Sequence, residues 1–264
     1  MSKHDEFYVG YLEDSLPKTK KSLKRFVLVS LALLASFAAI FALTQNHFKN
    51  STFELTSNTK VQGVYHEMPY PMLKVEVSKG IYKNILLLGF GKSSANPYLQ
   101  KIRNEADELS GSILSIEGNL IYYNGKTLLQ ITSDEKVTLV SKADTERSPR
   151  VLSLANDMQL QGEVIDPKCY FGVMKPGKGK IHRSCAVRCI SGGIPPVLAT
   201  QDENNISEYY LLTDKQGQPI NEDILPFVGK PSEITGEIVQ LEDWYQLRIA
   251  VEDIKALDLP SKIY

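Results

Sequence analysis

The run from Phe26 to Leu43, FVLVSLALLASFAAIFAL, constrains this chain more than any other segment, because it holds no charge and only Ser30 and Ser36 as polar residues. At helical rise it nearly spans a hydrocarbon core of about 30 Å, so it reads as a transmembrane anchor over 26–44. Lys18, Lys20, Lys21, Lys24 and Arg25 precede it, and only Lys49 stands close behind. This positive-inside bias puts residues 1–25 in the cytoplasm and sends everything after the helix across a bacterial inner membrane into the periplasm. A cleaved signal peptide shares the basic-then-apolar pattern. It is disfavoured by the long basic stretch, the long apolar core and the lack of an A-x-A site. In the stub, FYVGYL can pack on the membrane surface.

Past the anchor, 45–60 is polar and aperiodic and reads as a tether. Short β runs come next: 85–90, 111–118, 119–125, 208–214, 232–242 and 244–254 are rich in β-branched and aromatic residues and separated by turn formers. Only 97–108 has the pattern of a soluble amphipathic helix. An internal repeat organises these runs: VQGV (61–64) answers LQGE (160–163), FGK (90–92) answers VGK (228–230), and LSGSILSIEG (109–118) answers ITGEIVQLED (234–243). The expected fold is mainly β, with the anchor followed by two tandem OB-like β-barrels over 61–145 and 152–258, divided by the charged segment KADTERSPR. The first carries an inserted helix and the second a metal-binding loop with a short helix. A single β domain whose repeat is only strand-turn chemistry is the alternative.

All three cysteines fall in GEVIDPKCYFGVMKPGKGKIHRSCAVRCISGGIPPVL (162–198), spaced C-x12-H-x2-C-x3-C. A strand ending near Asp166 and Pro167 leads to Cys169, and a glycine- and proline-rich stretch turns the chain back. A helix over 182–190 puts His182, Cys185 and Cys189 on one face, and Ser191-Gly192-Gly193 stops it before Pro195 and Pro196 begin a strand. Cys169, His182, Cys185 and Cys189 make a filled Cys3His set, which points to structural zinc. Lys168, Lys175, Lys178, Lys180, Arg183 and Arg188 surround the set, opposed by Asp166, and can stabilise an anionic thiolate cluster. Two other readings stay open. One is copper, with Met174 as an added thioether, although the histidine precedes C-x3-C here. The other is a Cys185–Cys189 disulfide without metal, which leaves one thiol over.

Other chemistries find little support. A net charge of −1 offers no field for nucleic acid. GVMKPGKG (172–179) ends in Gly179 where a phosphate loop needs Ser or Thr, and GFGKSS (89–94) has Leu86 where the leading glycine belongs, so neither binds nucleotide. No C-x-x-C-H attaches haem, and no Ser-His-Asp or paired-carboxylate set stands out. His4 falls in the stub and His47 in the tether, while His66, in YHEMPYPML, occupies the first half's counterpart of the metal loop and reads as a satisfied loop histidine, the alternative being one that faces a partner or the second barrel. Trp244 and Tyr245 read as core or rim aromatics.

The string G-x-V-x-D-x-K-C-x2-G-x-M-K-P-G-x-G-x2-H-x2-C-A-x2-C-I-x-G-G-I-P-P, from Gly162 to Pro196, resembles the signature of a family of uncharacterised bacterial single-pass membrane proteins. FYVGYL, the Pro-Tyr-Pro of 69–71 and LLLGFGK extend the resemblance over most of the chain. It implies the fold boundaries, the four ligands and an association with respiratory or periplasmic redox enzymes, and it implies no reaction. The expected role is a non-enzymatic accessory or scaffold that docks a protein partner. The alternative is a periplasmic thiol-redox or copper-handling protein using Cys185 and Cys189.

Overall fold

In the computed structural model the described residues are 17–44, 51–106, 108–142, 151–202 and 206–257. The FYVGYL stub, His4, His47, the start of the tether and most of KADTERSPR lie outside them. The chain divides into two compact units, Met1–Phe48 and Lys49–Tyr264. The first is α1 (Pro17–Thr44), a helix long and apolar enough to cross a membrane. Pro17 opens it at the position where a missing N–H costs nothing. Within it Ser36 and Thr44 donate to the carbonyls of Ala32 and Ile40, so their hydroxyls need no water.

The second unit is mainly β. Its first sheet holds β1 (Ser51–Phe53), β2 (Thr59–His66), β3 (Met72–Ser78), β4 (Ile81–Gly89), β5 (Ile113–Tyr123), β6 (Lys126–Ile131) and β7 (Val137–Ser141), with α2 (Asn96–Arg103) between β4 and β5. β2 pairs with β3, β3 with β4, β4 with β6 in parallel, β6 with β5, and β5 back with β2, which closes a five-stranded barrel. The second sheet holds β8 (Val151–Ile165), β9 (Val197–Gln201), β10 (Ser207–Asp214), β11 (Pro231–Leu241), β12 (Trp244–Ile249) and β13 (Ile254–Ala256). Here β8 pairs with β9 and β11, β9 with β10, and β12 with β11 and, in parallel, with β10.

Where the two sheets meet, strands bury both faces, which explains the unbroken apolar runs. In β4, Ile85 and Leu87 join the core inside the first barrel, whereas Leu86 and Leu88 join a second core shared with the other sheet. β11 splits the same way, with Ile234 and Ile238 inside its own sheet and Val239 and Leu241 in the shared core. That shared core also takes Tyr70, Met72, Ile121, Tyr209, Leu211, Phe171 and Trp244, so the sheets are joined by a continuous apolar layer. Hydrogen bonds cross it: Tyr70 Oη donates to Leu212 O at 2.7 Å, Trp244 Nε1 to Asn84 O at 2.9 Å, and Asn84 Nδ2 to Leu241 O at 3.0 Å.

Three elements depart from the sequence reading. The runs 111–118 and 119–125 are not two strands parted by a turn but parts of one strand, β5, with Gly118 in its middle. A Cβ there would lie 2.3 Å from Gln130 O, so this glycine permits a close strand crossing and does not mark a turn. The helix begun near 97 ends at Arg103, short of 108, where Asn104 caps it and Glu105 and Glu108 oppose the negative end of its dipole. The repeat is also shifted in its last block: strand pairing brings Gly118, not Gly111, level with Gly236, whose Cβ would meet Arg248 O at 2.4 Å. Gly63 and Gly162 are matched likewise, against Lys74 O at 2.6 Å and Ala199 O at 2.4 Å.

Candidate metal centre

The excursion between β8 and β9 is built in two arms. After Ile165 the chain makes a single π-helical turn, Cys169–Val173, with Met174 N–H donating to Cys169 O at 3.1 Å. Gly177 lets the chain fold back onto this turn, since a Cβ there would sit 2.4 Å from Tyr170 Cα. The second arm is α3 (Gly179–Ser191), somewhat longer than its sequence signature at 182–190, which buries His182, Ala186, Cys189 and Ile190. Gly193, at φ 92°, ends it in the left-handed conformation with its N–H on Ile190 O at 2.9 Å.

The excursion is wedged against the first sheet. Ser94 N–H donates to Gly192 O at 3.0 Å, and a Cβ on Gly192 would fall 1.8 Å from Lys92 O. A Cβ on Gly172 would strike Ile121 Cγ2 at 2.6 Å. Buried Lys168 reaches across and donates to Gly89 O at 2.7 Å and Gly91 O at 2.8 Å. GFGKSS, the phosphate-loop lookalike, is therefore the abutment on which the cysteine loop rests. Around Phe171, the rings of Tyr123, Tyr170, Tyr209 and Trp244 pack with centroids 4.9 to 6.2 Å apart, sealing this side of the layer.

The sulfurs of Cys169, Cys185 and Cys189 lie within 4.8 Å of one another, close enough to bind a metal ion. A second group of the same tightness joins Asp166, Cys169 and His182. The four residues singled out by spacing are thus in one neighbourhood, with His182 meeting the thiols through Cys169. Cys169 and Cys189 are buried, Cys185 is half-buried, and all three are free thiols. Cys189 is the thiol pushed toward ionisation: the hydrogen bond from Cys169 lowers its pKa. The same bond, with burial, raises Cys169. Burial and then the charge on Cys189 raise Cys185, with Lys92 opposing. Among the basic residues flagged by sequence, Lys168 lies in the site itself. Burial brings its pKa down to about 8, against the pull of Asp166, Cys189 and Cys169. Lys175 instead donates to Tyr170 O and lies 4.6 Å from the Tyr123 ring centre.

Asp166 is the residue that spacing undervalued. It is fully buried; its Oδ1 accepts the Cys169 N–H at 3.1 Å and its Oδ2 lies 3.4 Å from His182 Nε2. Asp-Pro-x-Cys is the pattern that reveals it, since an aspartate three residues before a turn's N–H is a capping arrangement. Lys92 was missed too, because it comes from the other half of the chain. His66 is not the satisfied loop histidine expected: it ends β2, buried with no hydrogen bond to either ring nitrogen, and burial and Lys74 bring its pKa down to about 4 against Glu242. Trp244 is wholly buried, and Tyr245 stacks on Tyr210 with centroids 5.6 Å apart.

Compared with known proteins, the chain matches no family model and no curated protein.

Proposed function

We propose that this chain is a membrane-anchored accessory or scaffold protein in which one structural zinc ion, held by Cys169, Cys185, Cys189 and His182, braces two OB-like barrels in the periplasm. The observation that carries this is the position of the three-sulfur cluster in the apolar layer common to both sheets. A loop rich in glycine costs much conformational entropy to order, and a cation gathering both its arms offsets that cost. Its outer surface is then a fixed platform for a protein partner.

Three further observations support the parts of this reading. The order of pairing in the second sheet repeats that of the closed barrel, with the third and fifth strands parallel in each. The close-approach glycines Gly63 and Gly118 recur as Gly162 and Gly236. This is the pattern expected of a duplicated OB-like unit, whose first interstrand loop is short in one copy and carries the cysteines in the other. Five basic residues just ahead of the apolar run from Phe26 favour export of the chain beyond it.

Copper handling is the second reading, favoured by one feature: the three sulfurs form a group by themselves, the donor set that soft Cu(I) prefers. Elemental analysis of the full chain in detergent, with a free-thiol count, separates the two. One zinc per chain with all three thiols reduced is expected. One copper per chain, or a disulfide with no metal, would overturn the zinc assignment.

A further inference from the structure

We infer that Asp166 is the positioning residue of this centre: it holds His182 through Nε2, so that Nδ1 is the atom the histidine turns to the metal, and it fixes Cys169 at the same time. This rests on the metal reading above. A neutral imidazole has one N–H and one lone pair, and an ionised carboxylate only accepts. With Asp166 Oδ2 at 3.4 Å from Nε2, the proton belongs on Nε2 and the lone pair on Nδ1. His182 Nδ1 is buried and has no hydrogen-bond partner. A lone pair left so costs free energy, and a cation beside it removes the cost.

The other carboxylate oxygen takes the Cys169 N–H at 3.1 Å, so one buried aspartate ties the strand-end arm to the helical arm. Each arm brings a ligand, and both are aligned before an ion arrives. Carboxylates behind metal-bound histidines act in this way, fixing the tautomer and raising the basicity of the ligand nitrogen. The second carboxylate nearby, Glu163, accepts the N–H of Gly179 at the start of α3, whereas Asp166 is the carboxylate within hydrogen-bond distance of the His182 ring.

The test uses the full chain in detergent micelles, labelled with 15N-histidine and loaded with zinc. Two-bond 1H–15N correlation should show His182, assigned by its disappearance in His182→Gln, protonated at Nε2 and metal-bound at Nδ1. Asp166→Asn should still take one zinc at saturation, with affinity about 10–100-fold lower, and should keep the thiolate charge-transfer band of the cobalt-substituted protein. A His182 metallated at Nε2, or an Asp166→Asn chain of unchanged zinc affinity, overturns the inference. So does a cobalt spectrum that loses a ligand in Asp166→Asn but not in His182→Gln, which makes the carboxylate itself the ligand. The wild-type spectrum decides even where Asp166→Asn does not fold. A wild-type chain that takes up no metal overturns the metal reading beneath, and is told apart by the absence of any shift on adding zinc or cobalt.

Discussion

At the scale of single residues, buried polar groups and close-packed glycines dominate. His66 is held near pKa 4 by burial, below its ordinary value of 6.5. As pH falls through that window the unfolded chain takes up a proton that the folded chain refuses, so stability falls between pH 6.5 and 4 and is unaffected above. The loss should reach about 2–3 kcal/mol, and His66→Leu should lack it when urea midpoints at pH 7 and pH 5 are compared through Trp244 fluorescence. Gly192→Ala should lower stability by about 1–3 kcal/mol at any pH, because the added methyl meets Lys92 O, a backbone atom that moves only with its strand. A midpoint within error of wild type would show that the two segments separate freely. The cysteines and His182 were legible as neighbours because thiols and an imidazole at ligand spacing stand out by type and position. Asp166 was not, because an aspartate before proline looks like an ordinary loop residue until its oxygens are seen to be fully buried.

At the scale of elements, the sequence tells helices from strands where their environment is uniform and fails where a face is shared. The apolar helix and α3 were plain from composition and from the Gly-Gly stop. In contrast β3 and β6 passed unnoticed, since Lys74 and Lys126 interrupt their apolar pattern. In the fold those lysines reach the second sheet, Lys74 pairing with Glu242 and Lys126 donating to Asp243 O. Under the proposed metal reading, the excursion carrying the π turn and α3 depends on its ligands more than on its own helical tendency, because a helix this short has little stability alone. Chelation of the metal should therefore raise amide hydrogen exchange across residues 166–193 by at least tenfold while β4, β5 and β11 keep their protection. Equal loosening of strands and loop would instead make the ion a condition of the whole fold.

At the scale of the molecule, the layer shared by the sheets makes their unfolding one event. Tyr70 stands in the first sheet's loop and Trp244, the chain's only tryptophan, in the second sheet. Tyr70→Phe strands the Leu212 carbonyl and should shift the Trp244 transition by about 1–2 kcal/mol, in a single step. Two separate steps, or an unmoved midpoint, would mean that the sheets melt independently. The repeat hinted at two similar halves but could not disclose this union, since the residues that make it differ between the copies. The bonds across the layer join positions far apart in the chain, Tyr70 to Leu212 and Asn84 to Trp244. Contacts so distant form late, after a long loop has closed. Until the chain has been made past Trp244, the outer face of the first barrel, with Met72, Leu86, Leu88 and Leu128, stands bare to water and to other chains. Nascent copies of this protein therefore expose the most apolar surface to one another with about half their length complete.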